Sequence, residues 1–290
     1  MIYRRRPSPL HAARAGVGCT YCLALALAAL VLSGPVALGA VVVGIAGAAV
    51  GSGVGRELCR ALRFALPLGL LVMAVNALVV RDGLTVIARL GDLPVLGQTD
   101  ITLEATVAGA VLGLRAVALI LCAALYTAAI DPDDVLRLFR RFSFHSALSA
   151  TLATRMVPLL ARDARRLGDA QRCRPGRPPS RVQLMRAASS GVLDRALDVA
   201  AALEVRGYGA ARRAPRGAAA NTPWSRHDLT FAASALAIVA LGVGARVAGL
   251  ARFGSDPALH VPVGVGSVAV ATGLVAFALA PFADRRGIER

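Results

Sequence analysis

Long apolar runs broken by arginine-bearing segments fill both ends of the chain, with a polar stretch of helical periodicity between them. A bilayer core takes about 20 mostly apolar residues per helix. The runs at 17–33, 36–53, 64–80, 104–130, 229–249 and 261–281 reach or approach that length. The second is short and glycine-rich, as suits a tilted or partial span. This pattern predicts an all-α fold: a polytopic membrane helical bundle of about six spans, with long amphipathic helices outside the lipid. It divides the chain into an N-terminal transmembrane bundle (1–130), a polar helical region (131–228) and C-terminal transmembrane helices (229–290).

The polar region is punctuated clearly. Asp131-Pro132-Asp133-Asp134 is a helix start, with a capping aspartate, proline at the first helical position and acids in the first turn. A short helix to about Arg141 follows, then a longer one from about Ser146 to Arg174. In the longer helix Leu148, Leu152, Met156 and Leu159 form one stripe, while Arg155, Arg162, Arg166 and Asp169 are polar. Pro158 is a candidate kink, and Pro175-Gly176 ends the helix. Ser180 and Gln183 make an S-x-x-Q capping box for the next helix, and Gly207 stands where a C-terminal glycine belongs. Its apolar stripe is Met185, Val192, Ala196, Val199 and Leu203. From Arg181 to Arg206 an unbroken helix is a rod of about 39 Å. Arg174 and Arg206 therefore mark two arginine tips, 32 positions apart and near opposite ends of that rod. Arginine at a helix C-terminus also favours the helix dipole, and basic amphipathic helices settle on anionic lipid. Two similar tips, each with an Ala-x-x-x-Arg lead-in and a nearby glycine, point beyond those general roles.

Charge sets the orientation. The chain has 290 residues, 56% hydrophobic and 17% charged, with net charge +16 and mean hydropathy +0.62. All 33 basic residues are arginine. About half lie in 131–228, and others occupy the N-terminal arm, the Arg56–Arg63 segment and the C-terminal tail. The segment 81–103 balances two arginines with Asp82, Asp92 and Asp100. Six spans with both termini cytoplasmic put every basic segment on the inside, as the positive-inside rule requires. A multi-pass protein of the cell (plasma) membrane follows, with the lipid bilayer as its solvent. The charge is confined to termini and loops, so nucleic acid is not an expected partner. The missing lysine excludes a Walker A loop and a Schiff base, so any ATP chemistry belongs to another subunit.

Other residues carry less. Cys19-Thr-Tyr-Cys22 has CxxC spacing but no second pair to complete a zinc site, so no metal or other cofactor is expected. Arg115, inside the fourth run, either lines a subunit contact or is paired within the bundle. Asn76 is expected to make an interhelical hydrogen bond. A self-contained secondary transporter is the alternative reading, but no clear inverted repeat is present and Glu104 is the one nearby coupling carboxylate. An intramembrane enzyme is disfavoured, since no H-E-x-x-H occurs and the histidines have no convergent metal-ligand spacing.

At the two tips the chain resembles the transmembrane T component of energy-coupling factor (ECF) transporters, the EcfT/CbiQ family. Ala202-Leu-Glu-Val-Arg-Gly-Tyr208 is similar to the second of that family's Ala-Arg-Gly-like motifs, with Val205 in place of alanine. Asp169-Ala170-Gln171-Arg172-Cys173-Arg174-Pro175 resembles the first, with Cys173 and Pro175 where alanine and glycine or serine are usual. Pro7 to His11, Ile101 through Arg115, Asp131-Pro132 and Arg155 to Leu160 follow in family order. The resemblance implies a non-catalytic coupling subunit of an ABC importer for a vitamin or metal ion, in which 131–228 is the cytoplasmic coupling-helix region. It implies an ATPase-coupling motif at Cys173, Arg174, Pro175, Val205, Arg206 and Gly207, supported by Ala170, Gln171, Ala202 and Glu204. Two cytosolic ABC ATPase subunits and a substrate-binding membrane S component are the implied partners. Small residues such as Gly109, Ala110, Gly113 and Ala116 would let a membrane partner pack closely.

Overall fold

Each apolar run forms a helix, because in a bilayer only a helix satisfies every backbone group within its own segment. The structure, a computed structural model, describes residues 6–80, 85–93, 97–139, 144–173, 180–207, 224–249 and 264–283. A short α1 (Pro9–Ala12) precedes α2 (Ala15–Val31), α3 (Pro35–Gly51), α4 (Gly55–Val79) and α5 (Leu103–Ala129). After the polar region come α9 (Arg226–Val247) and α10 (Val265–Ala283). Among the described residues α4, α5, α9 and α10 are long and apolar enough to cross a membrane, and α2 and α3 are shorter apolar helices. At 17 residues each, α2 and α3 sit at the lower end of the spanning range. The helix at α4 starts earlier than the apolar run, so Arg56, Arg60 and Arg63 lie within its first turns.

The chain forms two units, Met1–Asp134 with Trp224–Arg290, and Val135–Pro223. In the first unit the N-terminal and C-terminal membrane helices share one core. Tyr21, Phe231 and Phe282 meet edge to face, with ring centroids 5.2, 5.3 and 6.4 Å apart. The Tyr21 hydroxyl donates to the Ala278 carbonyl at 2.7 Å, and Ser234 Oγ donates to Phe277 at 2.6 Å. Such bonds and close packing hold membrane helices together, because lipid removes the hydrophobic drive between them.

Glycine makes the closest approaches. A Cβ on Gly113 would stand 2.5 Å from the Gly69 carbonyl oxygen, and one on Gly109 would stand 2.8 Å from the Met73 oxygen. Gly109 and Gly113 are thus engaged in packing α5 on α4, which corrects their expected use against a membrane partner. Asn76 also departs from expectation: its Oδ1 is buried without a hydrogen-bond partner. The residue lines an open apolar groove of about 340 Å³ with Leu71, Val72, Val75, Val79 and Val80. Gly109 crowds its Cβ, and the groove wall offers no donor side chain.

Arg115 is resolved in favour of pairing within the bundle. Its Nε donates to Ala29 O at 3.2 Å and its Nη2 to Leu32 O at 3.0 Å. These carbonyls end α2, where no following turn supplies N–H groups and a cation meets the negative end of the dipole.

Several links gather one set of helix ends on a single face. Arg6 donates to the Gly53 carbonyl and pairs with Glu57 at 2.6 Å. Arg14 pairs with the buried Asp228 at 3.4 Å, its backbone N–H donates to the same carboxylate at 2.8 Å, and its guanidinium lies 5.8 Å from the Trp224 ring centre. Gly18 faces Ile130, and Gly51 faces Phe282. The starts of α2, α4 and α9 and the ends of α3, α5 and α10 therefore lie together, an alternating up-and-down course. Cys122 Sγ donates to the Cys22 carbonyl at 3.0 Å, and all five cysteines are free thiols.

The segment between α4 and α5 contains an element absent from the sequence-based expectation. β1 (Val86–Leu93) and β2 (Gly97–Thr102) form an antiparallel hairpin with Arg89 opposite Asp100 and irregular register on either side. Thr102 caps α5 by accepting from Ala105 N at 3.3 Å.

In the second unit, α6 (Pro132–Phe139), which begins at the boundary, is capped by Asp131, whose Oδ1 accepts from Asp133 N at 2.9 Å. α7 (Phe144–Arg172) runs through Pro158 as one helix. α8 (Arg181–Val205) starts with both halves of the Ser180–Gln183 capping box in place. An ion pair between Asp163 and Arg195 joins α7 to α8.

Candidate functional site

The α8 tip is built by an ordinary helix stop. Arg206 is the C-cap, its N–H reaching Ala202 O at 3.3 Å, and Gly207 follows at φ +74°, a left-handed conformation that an L side chain resists. The Gly207 N–H closes the turn on Glu204 O at 2.8 Å. Val205 is 89% exposed, and Ala202, Glu204 and Arg206 are exposed beside it. No carboxylate pairs with Arg206 among the described residues. The tip offers an apolar knob and an uncommitted guanidinium, a planar fork suited to a carboxylate on another surface.

The first tip is described only up to Cys173, an exposed free thiol just beyond α7. Ala170 is exposed and Gln171 half-buried. Arg174 and Pro175 lie outside the described residues, as does the separation of the two tips. The α8 rod itself is 25 residues, about 37 Å.

Much of the apolar surface on these helices is open. Val157, Val182, Met185, Leu193 and Leu197 are between 65 and 73% exposed. Met185 and Val192 of the expected stripe are exposed, while Val199 and Leu203 are half-buried. Outside the coupling helices, Glu104 is 4% exposed and accepts from the Thr85 hydroxyl, with the Thr85 N–H 3.4 Å from its other oxygen. That carboxylate ties α5 to the base of the hairpin.

Sequence reasoning missed the Arg6–Glu57 and Arg14–Asp228 links. The latter had a readable signal, since Ser225-x-x-Asp228 is itself a capping box and both of its hydrogen bonds form. Nothing local announces that Asp228 also receives Arg14.

Apolar spanning helices on an alternating course, with a pair of long exposed helices attached, define a polytopic helical membrane protein. The sequence pattern of the CbiQ family, described as cobalt transport protein, matches residues 7–216, and the chain belongs to that family. It is a membrane transport protein. Comparison with curated proteins gives no match.

Proposed function

We propose that this chain is the transmembrane coupling subunit of an ECF-type ABC importer. Two cytosolic ATPases dock on the tips, Arg174 and Arg206 each entering one groove, and a membrane S component holds the substrate, a metal ion or vitamin. ATP binding and hydrolysis move the ATPases, and α7 and α8 carry that motion to the S component. ATP hydrolysis falls to the partner subunits, since the chain has no lysine with which to build a Walker A site.

The observation that carries this reading is the Arg206 tip: exposed, glycine-capped and without an ion-pair partner among the described residues. A lone arginine serving only the dipole would not need the apolar Val205 presented beside it. Arg56, Arg60 and Arg63, on the face that gathers the starts of α2, α4 and α9, support a cytoplasmic location for that face, in the cell membrane. Glu104 accepts from the Thr85 hydroxyl at the base of the hairpin, a structural tie that lends the secondary-transporter alternative no support.

The test is copurification from cells that co-express the importer subunits. Wild-type chain should retain both ATPases, and Arg206→Glu should weaken retention by about tenfold or more, as charge reversal at a fully engaged arginine does. Unchanged retention and unchanged ATP-driven uptake would remove the tip from the mechanism.

A further inference from the structure

The shaft of α7 carries a second feature that docking at the tips leaves unused. Arg155, Arg162 and Arg166 are all exposed and recur at i, i+7 and i+11, so they share one stripe, with the 38%-exposed Leu159 between them and Arg165 at its flank. Among the described residues none of these four has a carboxylate partner. The one acid continuing the stripe, Asp169, is exposed and lies 3.9 Å from Arg172. A different side of α7 is occupied by the half-buried row Leu152, Met156, Asp163 and Leu167, which meets α8 through the Asp163–Arg195 pair. The arginine stripe is therefore not spent on the helix partner within its own unit.

From this geometry we infer that the α7 stripe is a docking surface for the phosphate headgroups of an anionic phospholipid leaflet. Charge complementarity selects an anion, and guanidinium forks bind phosphate oxygens bidentately. Chain continuity selects the lipid over a soluble acidic partner. α5 ends at Ala129 and α7 starts at Phe144, while α8 ends at Val205 and α9 starts at Arg226. Both ends of the helix pair are thus leashed to membrane helices, and the fully extended reach is only about 3.5 Å per residue. Headgroups are present at high effective concentration for such a tethered helix, whereas a soluble protein must be recruited. The inference goes beyond the coupling role: the tips would engage ATPases, and the shaft would rest on lipid.

Hydrogen exchange on the full chain in nanodiscs tests it, with no ATPase or S component present. Peptides spanning 150–172 should exchange about tenfold more slowly in discs containing phosphatidylglycerol than in pure phosphatidylcholine, since each arginine near an anionic surface adds to the holding energy. High salt should reverse the slowing, and R155Q/R162Q/R166Q should abolish it while peptides in α2 and α9 keep wild-type protection. Identical exchange in the two lipids, or slowing that survives the triple variant, overturns the inference. So does slowing in neutral discs on addition of inorganic phosphate, which would assign the stripe to free anions. Because the discs hold one chain only, failure here leaves the copurification result untouched, and the reverse also holds.

Discussion

Arg115 shows how a membrane-buried charge is accommodated at the scale of one residue. Its guanidinium caps Ala29 and Leu32, so replacing it by leucine should strand two carbonyls and destabilise the bundle by about 1–3 kcal/mol. Thermal unfolding in detergent, with Arg115→Lys as a partial rescue, measures that loss. An unchanged midpoint would mean that the carbonyls find other donors. Gly113 makes the complementary case. A side chain there meets the Gly69 carbonyl, while a Cβ on Gly39 meets nothing within 4 Å. Gly113→Val should therefore cost about 1–3 kcal/mol by overpacking, and Gly39→Ala should be neutral or mildly stabilising. Equal effects would contradict the close α4–α5 approach. The sequence marks Gly113 as notable, but it cannot tell an internal contact from a partner contact, because a small residue in an apolar helix has the same signature in either setting.

Among the elements, those defined by local chemistry were the most legible. The Ser180–Gln183 box, the Asp131 cap and the Gly207 stop each depend on side chains within a few positions, and each forms as expected. The hairpin was not legible, since Gly91 and Pro94 interrupt the β-like Val86-Ile87-Ala88 run and its partner begins with polar residues. Asn76 was misread because a hydrogen bond across helices depends on what the neighbour presents, and α5 presents glycine. The stop at Gly207 makes its own prediction. Gly207→Ala forces a left-handed alanine, worth about 1–2 kcal/mol, so the last turn of α8 should fray and amides near Arg206 should exchange faster. Wild-type exchange there would show that the tip does not depend on its glycine.

For the whole molecule, apolar run lengths made the helical bundle legible in the sequence. The contacts that gather alternate helix ends on one face were not, because Arg6–Glu57 and Arg14–Asp228 join residues far apart in sequence. If that face is cytoplasmic, the exposed Cys59 near the start of α4 should react with a membrane-impermeant maleimide in inside-out vesicles and stay unmodified in intact cells. Labelling from outside would invert the topology and contradict the proposed cytoplasmic docking. The proposed coupling role rests on paired docking points, so the most direct measurement is ATPase copurification and ATP-driven uptake for the Arg174→Glu/Arg206→Glu double variant. Loss of both ATPases and of uptake, with the protein still folded and membrane-inserted, is the predicted result. Full ATPase retention with normal uptake would contradict the coupling assignment.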